Sequence, residues 1–147
     1  MLGISSLGIA YIPAPKNACT SIKSAIFKLE NQYDFKPYVV NSKNFHIHNF
    51  HRAYEAIAFG DGPLKFSQYA FRFCVVREPV ERLVSCFKNR VIKHGELEGT
   101  DFEWCSGSFN DFLNNLSEIS SAVPSIHHHA ENQVYFLGND PNFYTHI

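Results

Sequence analysis

The sequence predicts a three-layer α/β domain: a mostly parallel central sheet, flanking helices and a P-loop-like strand–loop–helix site for an anion. Three observations lead there. Short apolar runs alternate with helical periodicity along the chain, the pattern of a parallel sheet with crossover helices. Residues 71–76, Phe-Arg-Phe-Cys-Val-Val, are nearly continuous in apolar character, as suits a strand covered on both faces. Residues 7–12 form a second apolar run that passes through a tight loop straight into an amphipathic helix.

The elements follow in order. After the strand at 7–12 comes the loop Pro15-Lys16-Asn17-Ala18-Cys19-Thr20-Ser21, and then a helical face of Ile22, Ala25, Ile26, Leu29 and Tyr33. Residues 34–44 read as a loop around a short Tyr38-Val39-Val40 strand, followed by a histidine-rich stretch at 45–51. Ala53, Tyr54, Ile57 and Ala58 fit a short helix, stopped by Gly60-Asp61-Gly62-Pro63. Beyond the strand at 71–76, Pro79 occupies a first helical position, where its missing N–H costs nothing. Val80, Leu83, Val84, Phe87 and Val91 make that helix's buried face. Residues 95–107 read as a polar connection. Ser108-Phe109-Asn110-Asp111 resembles a capping box that opens a helix with Phe109, Phe112, Leu113 and Leu116 inside. Residues 117–125 read as a loop and 133–137 as a last strand.

A length of 147 residues suits a single domain over 1–147 with a real core. Hydrophobic residues at 45% and charged residues at 18% are ordinary globular values and argue against disorder. The formal charge of −1 excludes a global basic field for nucleic acid or anionic membrane, so any anion site is local. Four cysteines, Cys19, Cys74, Cys86 and Cys105, lack C-x-x-C spacing. Cys74 and Cys86 read as small buried hydrophobes, not as part of a disulfide framework. No stretch has the length of a membrane span, and the opening residues lack a basic signal-peptide region, so a complete chain of this kind is expected to be cytoplasmic.

The loop at 15–21 carries the first chemistry. First-turn N–H groups lack intrahelical partners and the helix dipole adds partial positive charge, so a strand–loop–helix corner attracts anions. Lys16 adds a full charge, and Thr20 and Ser21 add hydroxyl donors. This describes a phosphate or phosphosulfate cradle. The plainer reading is a capped helix after an edge strand, with Thr20 or Ser21 as N-cap and Lys16 solvated. A Walker A signature is absent. Arg77 marks the second cluster, at the end of the strong strand, with Glu78, Arg82 and Ser85 roughly on one helical face. Ligands of open α/β sheets bind beyond the carboxyl ends of strands, so Lys16 and Arg77 are expected to flank one crevice. The guanidinium fork matches a phosphate and a hydroxyl completes the shell. The alternative is a surface arginine paired with Glu78 or Glu81.

Together the two clusters resemble a family. P-K-N-A-C-T-S-I-K at 15–23 with V-R-E-P-V-E-R-L-V-S-C-F-K-N at 76–89 is similar to sulfotransferase family 2, the carbohydrate sulfotransferases of the chondroitin and dermatan type. Phe109-Asn110-Asp111-Phe112-Leu113 and the His129…Gln133 spacing resemble its later motifs. The resemblance implies a donor, 3′-phosphoadenosine 5′-phosphosulfate (PAPS), whose 5′-phosphosulfate is held by Pro15, Lys16, Asn17, Ala18, Cys19, Thr20 and Ser21. It places the 3′-phosphate on Arg77 and Ser85. It implies transfer of the sulfuryl group to a hydroxyl of a glycan acceptor without a metal, leaving adenosine 3′,5′-bisphosphate. Family members commonly extend beyond the point matching Ile147, and Ala130 stands where they carry Trp.

In such a transfer Lys16 stabilises the leaving group and a neutral histidine takes the acceptor's proton. His48 is the first choice for that base and His46 the second, since the two share a face of an extended segment; Glu55 is a further alternative. His127-His128-His129 is a poor zinc site, because consecutive side chains on an extended chain alternate in direction. Lys88, Arg90 and Lys93 either attract an acidic glycan or form a solvated helix face. Two other functions stay open: a non-catalytic nucleotide- or glycan-binding module, and a P-loop-type small-molecule kinase, which the absent Gly-Lys-Ser/Thr disfavours. No nucleic-acid partner and no membrane insertion are expected. A Golgi luminal location follows instead if the chain is a domain of a membrane-anchored protein.

Overall fold

The computed structural model describes residues 2–49, 55–56 and 66–147. The chain forms two compact units. Met1–Ala14, Ala18–Val76 and Gln133–Ile147 make the first; Pro15–Asn17 and Arg77–Asn132 make the second.

Unit 1 is built on a four-stranded sheet of β1 (Leu2–Ile4), β2 (Ile9–Ile12), β5 (Glu55–Ala56) and β6 (Phe71–Cys74), in the order β5-β1-β2-β6. It is mixed, which corrects the mostly parallel sheet expected. Only β2 and β6 run parallel, with Ile9 opposite Phe71 and Ile12 opposite Cys74, while β1 is antiparallel to both β2 and β5. The cause is local. A 3-10 turn at Ser5–Leu7 ends on Gly8 at φ 64°, a left-handed conformation natural to glycine, and this reverses the chain into a hairpin.

Strand alternation then sorts the core. Leu2, Ile4, Tyr11 and Phe73 point to one face, where helix α1 (Cys19–Asn31) covers them with Ile22 and Ile26. Ala10, Ile12 and Cys74 point to the other face, beneath Phe66, Tyr69, Leu137 and Phe143. Each large side chain fully buried in this way contributes about 1.5–3 kcal/mol. Gly3 has no room for more: a Cβ there would lie 2.3 Å from the Tyr69 hydroxyl. Of the predicted helical face, Leu29 and Tyr33 are exposed instead, and Phe27 takes their place in the core.

A two-stranded sheet joins β3 (Tyr38–Val40) to β4 (Lys43–Phe45). Asn41 and Ser42 both have positive φ, 48° and 60°, as a tight two-residue hairpin turn requires. Of the short helix expected at 53–58, Ala53, Tyr54, Ile57 and Ala58 lie outside the described residues, as do the Gly60–Pro63 stop and His51; Glu55 and Ala56 pair with β1 as strand. Residues Gln133–Leu137, expected as a strand, form a helix closed by Gly138 N–H on the Val134 carbonyl at 2.8 Å. The helical wrap seats Leu137 and Phe136 against Cys74 and Ile12 and leaves Val134 and Tyr135 exposed.

Unit 2 opens with α2 (Pro79–Cys86). Its N-cap is Glu78, whose carboxylate accepts the Glu81 N–H at 2.7 Å, and Pro79 takes the first helical position as expected. The helix continues as a π-helical segment, Phe87–Lys93. Val80 is exposed while Arg82 is buried, so the expected apolar face is displaced toward Arg82, Cys86, Phe87 and Val91. The serine half of the capping box is present: Ser108 Oγ accepts the Asp111 N–H at 3.2 Å to start α3 (Phe109–Asn114), while the Ser108 N–H donates to the Cys105 carbonyl and not to Asp111. Residues 117–125 are not a loop. They belong to α4 (Leu116–Ala122) and α5 (Pro124–Ala130), joined at Val123; Leu116, Ile119, Val123 and Ile126 recur at helical spacing and pack on Phe87, Val91 and Phe112. The stretch 95–107 is also anchored, since Leu97 and Cys105 are fully buried in the same core.

Candidate functional site

In unit 2 a cleft of about 680 Å³ runs along α2 and the π-helical segment. Lys16, Arg77, Lys88 and Lys93 line it, opposed by the single carboxylate of Glu81, with Ser85 and Asn89 between them. Four cations against one anion, a guanidinium fork and a hydroxyl are the donor set that a phosphate group requires. Lys16, Arg77 and Ser85, picked from sequence, therefore meet in one cleft.

Unit 2 builds this cleft around an unusual backbone. Lys16 sits at φ 66°, a left-handed conformation that costs a non-glycine residue about 1–2 kcal/mol. Two arginines hold the chain there. Arg77 donates from a guanidinium nitrogen to the Lys16 carbonyl at 3.4 Å, and Arg82 Nε donates to the Pro15 carbonyl at 2.9 Å. Arg82 is buried, not on the ligand side with Ser85, and also donates to the Glu131 carbonyl at 2.7 Å. At the far end of the side chain, Lys16 Nζ donates to Asn89 Oδ1 at 2.8 Å. Asn17 is buried beside it. Arg77 makes the ion pair expected of a surface arginine, Nε to Glu81 Oε2 at 3.5 Å, but both side chains are well exposed, so the pair is weak enough to yield to an anion.

Arg90 is withdrawn from the group of cations considered for an acidic ligand. It pairs with Glu96 Oε1 at 2.9 Å and donates to His129 Nε2 at 3.1 Å. His129 Nδ1 in turn donates to the Ser125 carbonyl at 2.6 Å, and Ser125 Oγ donates to Glu96. Burial pushes the Glu96 carboxyl up, but the hydrogen bonds from Ser125 and Arg90 outweigh it and leave the group below its usual range. Burial, helped by Arg90, His128 and Lys16, holds His129 below the usual histidine range. This closed network makes His129 a structural residue of unit 2. His127, His128 and His129 lie on helix α5, not on an extended chain; His127 pairs with Glu131 at 3.3 Å. Among the described residues no group of three or more His, Cys, Asp or Glu could hold a metal ion.

Unit 1 carries the other predicted residues. The N-cap of α1 is Ala18, at φ 57° and with no side-chain cap, so Thr20 and Ser21 are not the cap but lie within the first helical turn after Cys19. Ser21 and Thr20 are exposed, and Cys19 is partly so. His46 and His48 follow β4 in irregular and turn conformations, not in an extended strand, yet their rings still meet edge to face at 5.5 Å. The His48 N–H donates to His46 Nδ1 at 3.2 Å. His48 Nε2 lies 2.7 Å from Thr20 Oγ1, and its Nδ1 lies 3.2 Å from Lys23 Nζ. Burial lowers the Lys23 amine below the ordinary lysine range. The side chain of Glu55 lies outside what is described.

Sequence reasoning passed over Lys23 and Asn89. Lys23 stands one turn after Thr20, and Asn89 one turn after Ser85, so helical spacing from a residue already chosen is the signal that finds both.

All four cysteines are free thiols. Burial pushes Cys86 up to about 11 despite the neighbouring Lys16, Arg82 and Arg90, so it enters the core as a thiol, as expected for Cys74 and Cys86. Among the described residues no helix is long and apolar enough to cross a membrane.

No curated protein and no solved structure matches the chain. A family model does: its match runs over residues 5–147, taking in the lysine loop, the arginine–serine cleft and the helices that support them, and by it the chain belongs to the sulfotransferase family.

Proposed function

We propose that this protein transfers a sulfuryl group from PAPS to a hydroxyl of a carbohydrate acceptor. The observation that carries the reading is the meeting of Lys16, Arg77 and Ser85 in one cation-rich cleft of a sulfotransferase-family chain. PAPS supplies an activated sulfuryl group on a phosphate leaving group; the protein supplies position and charge. Arg77 and Ser85 bind the 3′-phosphate through a guanidinium fork and a hydroxyl. Lys16 neutralises the charge that grows on the departing 5′-phosphate oxygen. The loop from Pro15 to Ser21 contributes backbone N–H groups and the Thr20 and Ser21 hydroxyls to the 5′ end.

His48 takes the acceptor's proton at Nε2, with His46 as the second choice. For His48 to accept there, the ring's own proton must sit on Nδ1, which faces Lys23 Nζ. An ammonium cannot receive it, so His48 acts at Nε2 only after Lys23 Nζ leaves Nδ1. No step calls for a metal.

Calorimetric titration with adenosine 3′,5′-bisphosphate in EDTA tests the cofactor half of the reading, with adenosine 5′-phosphate and ATP as comparisons. Tight binding that needs the 3′-phosphate and falls with Arg77→Ala and Lys16→Ala is expected. A folded wild-type protein that binds none of the three would refute it.

A further inference from the structure

We infer that Asn89 is a positioning residue for Lys16, and that its being an amide, not an acid, keeps the lysine's charge available to an anion. The inference builds on the proposed role of Lys16 but stands on geometry within unit 2.

Lys16 Nζ donates to Asn89 Oδ1 at 2.8 Å, and both residues line the cleft. A lysine head on a flexible four-carbon stem has about 2 kcal/mol of rotamer freedom to lose, so a fixed acceptor at its tip is what aims it. The acceptor could carry a charge or not. A carboxylate would hold the ammonium more tightly, but it would also cancel the positive charge and repel an incoming phosphate. The amide oxygen holds it by a neutral hydrogen bond, which an anion can replace.

The helix geometry explains how Asn89 reaches this place. Glu81, Ser85, Asn89 and Lys93 all line the cleft at intervals of four residues. In a regular α-helix, positions four apart drift by about 40° around the axis. Glu81 and Ser85 lie on α2, whereas Asn89 and Lys93 lie in the π-helical segment Phe87–Lys93. The wider π turn reverses the drift, so the row stays along the cleft. The same segment keeps Phe87 and Val91 in the core.

Two variants test this, Asn89→Asp and Asn89→Ala, with thermal unfolding as a check that both fold. The first readout is the rate at which an amine-reactive ester labels Lys16 in the ligand-free protein, followed by mass spectrometry. Labelling should be faster than wild type in Asn89→Ala, whose lysine loses its anchor, and slower in Asn89→Asp, whose carboxylate favours the ammonium. The second readout is affinity for adenosine 3′,5′-bisphosphate. Asn89→Asp should bind about tenfold or more weakly, since a new carboxylate sits within a few ångströms of the anion's lysine. Equal labelling rates in all three folded proteins would overturn the inference. Failure of the wild type to bind the nucleotide would instead refute the cofactor reading, and the labelling series would still decide the role of Asn89.

Discussion

Replacing Arg82 with methionine should destabilise the protein by about 2–4 kcal/mol and weaken nucleotide binding at a cleft that Arg82 does not line. The side chain is only 3% exposed, and it fastens two distant carbonyls, Pro15 at 2.9 Å and Glu131 at 2.7 Å. Hydrogen bonds from a charged donor contribute about 1.5–3 kcal/mol each, so losing two removes roughly 3–6 kcal/mol. Part of that is offset. The second terminal nitrogen of Arg82 is buried with no partner among the described residues, and removing a buried guanidinium also removes its desolvation penalty. The net loss corresponds to a fall in unfolding temperature of roughly 5–15 °C for a chain of this size. With the Pro15 carbonyl released, the left-handed Lys16 loses one of the contacts that hold it, so affinity for adenosine 3′,5′-bisphosphate should fall as well. Circular dichroism melts and calorimetric titration of wild type, Arg82→Met and Arg82→Lys would measure both effects. The lysine variant, which keeps the charge but not the fork, should fall between the other two. An Arg82→Met protein with unchanged melting and unchanged binding would refute the reasoning.

Stability should decline on acidification below about pH 6.5, the ordinary histidine value, because His129 is held below that value when folded. The unfolded chain then takes up protons first: the stabilisation is complete above pH 6.5 and is lost as the pH falls toward the folded value, at well under about 1.4 kcal/mol per pH unit once solvent screening is allowed for. Urea titrations across pH 5–8 should show this slope, and His129→Gln should flatten it. Phe112→Ala, at a fully buried position among Phe87 and Phe109, should cost about 3–5 kcal/mol in the same assay. Alkylation under native conditions should reach Cys19 first and leave Cys74, Cys86 and Cys105 slow; fast labelling of Cys86 would contradict its burial. Nitrogen NMR of neutral His48 should find the ring proton on Nε2, because the Lys23 ammonium donates to Nδ1; Lys23→Met should remove that preference.

Much of the site was legible because its chemistry is local. Lys16, Arg77 and Ser85 each follow or accompany a run whose secondary structure the residues state plainly, and the Pro79 start and the Ser108 N-cap were readable for the same reason. The errors share a different cause: partners far away in sequence decided them. The β-rich residues of Gln133–Leu137 would serve a strand, but Cys74 and Ile12 receive Leu137 from a helix. The serines and Pro124 hid the spacing of Leu116, Ile119, Val123 and Ile126, whose meaning comes from Phe87 and Val91. Ala18 displaced Thr20 and Ser21 as cap because a left-handed residue can start a helix without any side-chain signal. The π turn at Phe87–Lys93 has no composition of its own, so the course of the helix beyond Cys86 could not be read from an α-helical wheel.

The way the two units share the chain has a consequence for biosynthesis. Pro15–Asn17 belong to a unit whose other residues run from Arg77 to Asn132, and the first unit is finished only by Gln133–Ile147. At typical translation rates the ribosome needs on the order of ten seconds to get from the lysine loop to the end of its unit. Until Leu137, Phe143 and Tyr144 follow, the face of β2 that carries Ile12 lacks part of its cover. Such late loop closure slows folding and leaves apolar strand surface open while the nascent chain grows. Chaperone dependence during synthesis, and poor yield of a chain cut at residue 132, are therefore built into the order in which this sequence is made.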